Sequence, residues 1–161
     1  MIIYHPIQPI YNNSSRILIL GSFPSVKSRE GMFFYHHPQN RFWKVISHIC
    51  NADIPESVEE KKALLLSNGI ALWDVIQSCD IQNSSDSSIK NVKVNNFKNI
   101  LNNSEITHVF TNGSKSHTLY SKYCESSTGI KDIPLPSTSP ANASFNLERL
   151  INEWKIIKKY L

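Results

Sequence analysis

Arg16-Ile-Leu-Ile-Leu-Gly21 is the stretch that decides the fold: a short apolar run, strand-like in length, that stops at a glycine turn. Further along the chain, Gly69-Ile-Ala-Leu-Trp73 reads as a second strand with Asp74 at its carboxyl end. His108-Val-Phe-Thr-Asn112 reads as a third, stopped by Gly113, and Ile130 to Leu135 as a short fourth. Between them lie helical segments. Phe42, Val45, Ile46 and Ile49 recur at helical spacing, so about Asn40 to Cys50 buries one face. Ser57-x-x-Glu60 is a capping box that opens a helix carrying Leu64 to Leu66. A weaker helix is expected over Asn96 to Asn102, and one capped by Ser114 runs through Tyr123. The last helix, with Asn146 as cap, places Leu147, Leu150, Ile151, Trp154, Ile157 and Leu161 on one side. Strands separated by helices favour right-handed crossovers. The expected fold is α/β, a three-layer α/β/α sandwich with a small, mainly parallel central sheet, formed by residues 1–161 as a single domain.

Composition bounds the function without choosing it. The 161 residues suffice for one core, and 40% apolar with 19% charged residues is an ordinary soluble balance. No apolar run approaches the roughly 20 residues of a membrane helix, and the first residues lack the pattern of a secretory signal. The expected location is cytoplasmic (nucleoid-associated) or nuclear, not secreted. Cys50, Cys79 and Cys124 are far apart and in no metal-ligand spacing, so reduced thiols are expected, with no metal and no cofactor. A net charge of +4 suits a polyanionic partner but does not require one.

In an open parallel sheet, ligands gather at the carboxyl edge of the strands. Three polar loops are expected to leave that edge: Gly21 to Asn40, Asp74 to Lys90, and Leu135 to Asn146. The first contains Gly21-Ser-Phe-Pro-Ser-Val-Lys27-Ser28, which superficially resembles a phosphate-cradling loop followed by a magnesium-binding acid at Asp74. Pro24 removes a backbone donor, and β-branched Val26 stands where a glycine must precede the lysine. A nucleotide-dependent phosphotransferase is thereby the weaker reading.

Phe33-Phe-Tyr-His-His-Pro-Gln-Asn40-Arg-Phe-Trp-Lys-Val-Ile46 is the most informative segment. Tyr35 or Phe34 can stack on a planar base. Asn40 can hold a water with its amide or simply cap the helix, whose N-terminus favours an anion or an electron-rich leaving group. Phe42 and Trp43 suit the core. Asp74 can meet a ligand or cap the loop that follows it.

His37-Pro-Gln-Asn40-Arg-Phe-Trp-Lys-Val-Ile46 resembles a segment of mismatch-specific uracil-DNA glycosylase. Gly21-Ser-Phe-Pro-Ser25, Phe33-Phe-Tyr35, Gly69-Ile-Ala-Leu-Trp-Asp-Val75, Asp86-Ser-Ser-Ile89 and Leu135-Pro-Ser-Thr-Ser-Pro-Ala-Asn142 are more similar to hypoxanthine-DNA (deoxyinosine) glycosylases, a sister family in the uracil-DNA glycosylase superfamily. The blocks occur in order across most of the chain. The resemblance implies a monomeric, monofunctional enzyme that flips a deaminated base from DNA and hydrolyses its N-glycosidic bond. The superfamily places a polar, water-handling residue where this chain has Phe23, which can neither donate nor accept a hydrogen bond. The resemblance therefore moves the catalytic role to Asn40.

On the same basis Ser22, Phe23, Pro24, Ser25, Tyr35 and Asp74 form the base pocket, with Tyr35 and Phe23 sandwiching the base. Lys27, Ser137, Ser139, Pro140, Ala141 and Asn142 meet DNA, the small Ala141 making a shallow wedge. Arg29, Arg41, Lys44 and Lys115 are further candidates for phosphate contact, Arg41 and Lys44 alternatively forming an exposed helix face. Competing implications are a glycosylase specific for G:U or G:T mismatches and a catalytically silent DNA-binding relative, which Phe23 makes conceivable.

Overall fold

A computed structural model describes all 161 residues. In chain order the elements are β1 (Ile2–Tyr4), β2 (Ile17–Gly21), α1 (Val26–Gly31), α2 (Phe42–Ile49), α3 (Val58–Ser67), β3 (Ile70–Asp74) and β4 (Ile76–Asp80). There follow β5 (Lys90–Val94), α4 (Lys98–Asn102), β6 (His108–Asn112), α5 (Ser114–Tyr123), α6 (Glu125–Thr128), β7 (Ile133–Leu135) and α7 (Leu147–Trp154), which runs on as a 3-10 turn to Tyr160. No helix is long and apolar enough to cross a membrane.

The central sheet has the order β3-β2-β6-β7, and every pair in it is parallel. Because side chains alternate along a strand, β2 divides its apolar residues between two cores. Ile17 and Ile19 join Phe42, Val45, Ile46, Leu65, Leu150 and Trp154 on one face. Leu18 and Leu20 join Val109, Leu119 and Tyr120 on the other. Both faces of β2 are buried, which is why its sequence is continuously apolar and does not alternate. The register sets Gly21 beside Asp74, and Asn112 beside Leu135. The strand ends thus present one row of residues to the same edge.

The expected helices and caps occur with small shifts. Ser57 Oγ accepts from Glu60 N (3.0 Å), and Asn146 Oδ1 accepts from Arg149 N (2.9 Å). Ser114 is the first residue of α5 and not its cap; Gly113 holds that position with no side-chain bond.

The larger correction concerns Asp74 to Lys90, which is not one polar loop. β4 pairs antiparallel with both β1 and β5, forming a second three-stranded sheet in the order β1-β4-β5. β5 exposes Lys90, Asn91 and Lys93 and β4 buries a polar residue, Ser78, so Ile-Gln-Ser-Cys-Asp and Lys-Asn-Val-Lys-Val carry polar residues that disguise them. Only the connection between them, with Ser84 and Asp86, reaches the carboxyl edge of the central sheet.

Candidate active site

A cleft of about 340 Å³ opens at that edge. It is walled by the turn after β2, the aromatic segment before α2, the β4–β5 connection and the loop after β7. Segments more than 100 residues apart in sequence meet here because the parallel register stacks their strand ends.

Tyr35 forms one wall. Its ring stacks on Phe42 (centroids 4.1 Å apart, planes 19° from parallel), so one aromatic face is backed and the other is available. Its backbone lies in the left-handed region, φ 51°, which is strained for a residue with a bulky side chain. Neighbouring bonds hold the segment there. Trp43 Nε1 donates to Phe34 O (3.2 Å), and His36 N donates to Ser28 Oγ (3.1 Å). Tyr35 Oη is buried without a hydrogen-bond partner. Burial, reinforced by the Asp74 carboxylate, pushes the phenol well above its ordinary range, so it stays protonated and remains a donor.

Asp74 forms the floor with Gly21. One carboxylate oxygen, Oδ2, accepts from His5 Nε2 at 2.7 Å, and both side chains are almost fully buried (2% and 5% exposed). His5 Nδ1 accepts from Ile7 N (3.2 Å), which places the ring proton on Nε2. Phe23, Phe34 and Trp73 surround the imidazole at 5.8, 6.1 and 6.2 Å. The other oxygen of Asp74, Oδ1, takes no hydrogen bond from the protein. It lies beside Gly21, where an added Cβ would stand 2.5 Å from Oδ1 and 2.9 Å from Tyr35 Oη. Asp74 therefore does not cap the chain that follows it; Asn95 does that work, donating to the carbonyls of Asp74 and Ile76.

Asn40 stands at the rim. Its Oδ1 accepts from Phe42 N (2.9 Å) and from Thr138 Oγ1 (2.9 Å), so the amide both secures the start of α2 and reaches the loop after β7. With its carbonyl oxygen doubly engaged, the group it offers the cleft is the Nδ2 donor. Thr138 is held in turn by Asn112, whose Oδ1 accepts from Thr138 N (3.0 Å) and whose Nδ2 donates to Thr138 Oγ1 (3.0 Å).

The remaining predicted residues divide clearly. Ser22, Phe23, Pro24, Ser25, Ser137, Ser139, Pro140 and Ala141 line the cleft. Ser22 Oγ donates to Asp86 Oδ1 (2.9 Å), joining the β4–β5 connection to the first loop. Ser137 and Ser139 accept local backbone N–H groups, which leaves each hydroxyl hydrogen to donate outward. Lys27 and Asn142 do not line it: Lys27 is exposed on α1, and Asn142 braces the loop by donating to Ser137 O (3.0 Å).

Two expected phosphate contacts are corrected. Arg41 is turned inward, its guanidinium donating to the carbonyls of Thr138 (3.3 Å), Ser139 (2.8 Å), Asn142 (3.1 Å) and Phe145. Arg29 donates to Asn83 O (2.6 Å) and packs over the Phe23 ring. Each charge organises a loop, while Lys44 remains exposed. Sequence reasoning missed His5, Asn112 and Thr138. Asn112 alone carried a signal, as a polar residue ending a buried strand.

This cleft, on this sheet, agrees with what the chain is similar to. Residues 8–159 match the Uracil DNA glycosylase superfamily, and the chain belongs to that superfamily, a class of DNA glycosylases. Among its relatives, a "Hypoxanthine DNA glycosylase" from Methanosarcina acetivorans is 30% identical over 153 residues, covering 94% of this chain and 95% of that one. A protein of the same name from Methanosarcina barkeri is 32% identical over 112 residues, 67% of this chain and 70% of that one. A solution NMR structure from M. acetivorans, described only as a candidate uracil DNA glycosylase, superposes with a TM-score of 0.83 at 30% identity. It covers 98% of this chain and 96% of that one. Membership also corrects the phosphate-loop alternative: Val26–Gly31 form a short helix beside the cleft, capped by Ser25, whose Oγ accepts from Ser28 N (3.1 Å).

Proposed function

We propose that this chain is a monofunctional DNA glycosylase that removes hypoxanthine from deoxyinosine, with uracil as a second substrate, and leaves an abasic site. One observation carries the reading. At the carboxyl edge of the sheet, a free aromatic face on Tyr35 overlooks a polar floor, with Asn40 at the rim. A flat base rotated out of the duplex is the ligand such a slot fits, its face against the ring and its edge on the floor. The names borne by the relatives support hypoxanthine in particular. The cleft is built within one chain, which suits a monomer.

Breaking the glycosidic bond leaves positive charge on the sugar and sends the electron pair to the base nitrogen. Water then adds to C1′, and the proton it loses balances the one the departing base gains. Such a sugar cation demands little basicity from its nucleophile. The first task of the site is to place dipoles where charge develops. Asn40 serves this by donating from Nδ2 at the rim, its orientation fixed by the two bonds its oxygen accepts. Phe23 adds shape and no proton chemistry.

The test is a duplex carrying one deoxyinosine, followed by hot alkali. Nicking that depends on alkali is the expected result, and tight binding without nicking would make the chain a silent DNA-binding relative. Asn40→Ala is expected to cut turnover by about 10²–10³-fold with affinity for the duplex nearly kept. Asn40→Asp, which preserves the accepted bonds and deletes the donor, should also lose most turnover. Parallel loss of binding and turnover in both variants would return Asn40 to a purely structural role.

A further inference from the structure

We infer that His5 is a specificity-determining residue: by occupying one oxygen of Asp74 it leaves a single acceptor on the floor, which admits hypoxanthine and refuses guanine. The inference rests on the proposed base-excision reading. Hypoxanthine and guanine share a carbonyl at C6 and an N–H at N1. They differ in that guanine adds an amine at C2, so its edge presents two parallel donors. A carboxylate with both oxygens free matches those two donors in a bidentate grip, as it does a guanidinium. An enzyme that acts on DNA with such a floor would attack a normal base.

Here the grip is blocked. Oδ2 of Asp74 is taken by His5 Nε2 at 2.7 Å. The ring cannot turn its other nitrogen inward, because Nδ1 already accepts from Ile7 N and the imidazole is boxed by Phe23, Phe34 and Trp73. What remains is Oδ1, an acceptor, with Tyr35 Oη, a buried donor that has no partner, beside it over Gly21: the two atoms lie 2.5 and 2.9 Å from the point a Cβ there would occupy. One acceptor and one donor are the complement of an N–H beside a carbonyl. Hypoxanthine presents that pair, and so does uracil. Adenine presents a bare ring nitrogen beside an amine, the reverse polarity. Guanine places its second donor against an oxygen already filled by a donor, leaving a desolvated amine unpaired, and this is costly in a site built for hydrogen bonds.

The experiment compares I:T and G:T duplexes, both wobble pairs opposite the same base, with the purine strand labelled. Wild-type protein should release hypoxanthine and spare guanine. His5→Leu frees Oδ2 and should narrow the hypoxanthine-to-guanine ratio by at least about tenfold. His5→Gln, whose amide can still donate to that oxygen, should largely keep the ratio. Tyr35→Phe should lower hypoxanthine release by about tenfold or more. If His5→Leu slows both substrates alike and the ratio holds, His5 only supports the fold and the inference fails. Should His5→Leu not fold, competition on wild-type protein reads the same contact. Free hypoxanthine should then inhibit, and free guanine and 1-methylhypoxanthine should not; equal inhibition by the three would overturn it. Absence of any hypoxanthine release by wild type would instead defeat the proposed function.

Discussion

Gly21 is the residue on which the floor of the cleft depends. Its backbone angles are ordinary, so alanine would not strain the turn. The added methyl carbon, however, would crowd Asp74 Oδ1 and Tyr35 Oη together. Gly21→Ala is therefore expected to fold with a stability loss of about 1–3 kcal/mol and to lose roughly 100-fold in excision under conditions where it remains folded, the scale of a misplaced substrate. Turnover and thermal unfolding measured on one preparation check this, and wild-type turnover would show that the base does not sit on this strip. Asp74 and Asn40 were legible as site candidates because one ends a strand and the other precedes a helix at the sheet edge, and Tyr35 because it closes an aromatic run in the loop between α1 and α2. His5 was not, because it acts through a bond across 69 residues and nothing local marks it. The double engagement of Asn40 was equally hidden: its sequence position allowed a water-holding amide or a helix cap, and the structure shows its oxygen accepting two bonds while its nitrogen makes none to the protein.

Two elements meet through Arg41. The guanidinium at the start of α2 gathers four carbonyls of the loop after β7, and its own backbone N donates to Thr138 O (3.1 Å). The loop is thus tied to the start of α2, directly beside Asn40. Arg41→Ala should cost roughly 2–3 kcal/mol of stability, since it leaves charge-assisted bonds unmade, and should weaken duplex binding as well as turnover. Arg41→Lys should rescue little, because an ammonium lacks the planar fork that reaches several carbonyls. Denaturant melts and duplex titration of both variants check the point; full rescue by lysine would reduce the contact to a simple charge. Its place beside the loops left Arg41 as a phosphate contact or part of an exposed helix face, because sequence reports that a guanidinium is present and not where it points. The same limit hid β4 and β5, whose polar residues read as loop when the partner strands are unknown.

For the whole molecule, the net charge of +4 is diffuse, with two arginines already committed to loops. Exposed lysines and the free hydroxyls of Ser137 and Ser139 remain for the DNA backbone. Affinity of the Asn40→Ala protein should fall with salt, the logarithmic slope being about −0.9 for each phosphate neutralised. Filter binding between 50 and 200 mM salt, conditions at which such slopes are read, checks it, and a flat response would remove the phosphate grip from the scheme. The layered α/β architecture is written in local sequence, since four apolar strands and their amphipathic helices carry periodicities that local physics enforces. So is the fact that Phe23 cannot handle water, because that follows from the side chain alone. Tertiary structure decided which hydrogen-bonding atoms are spent and which are left over: Oδ2 of Asp74 spent and Oδ1 spare, the oxygen of Asn40 spent and its nitrogen spare. Chemistry at the cleft depends on the spare atoms, and these are set by partners far away in the chain, which no local pattern encodes.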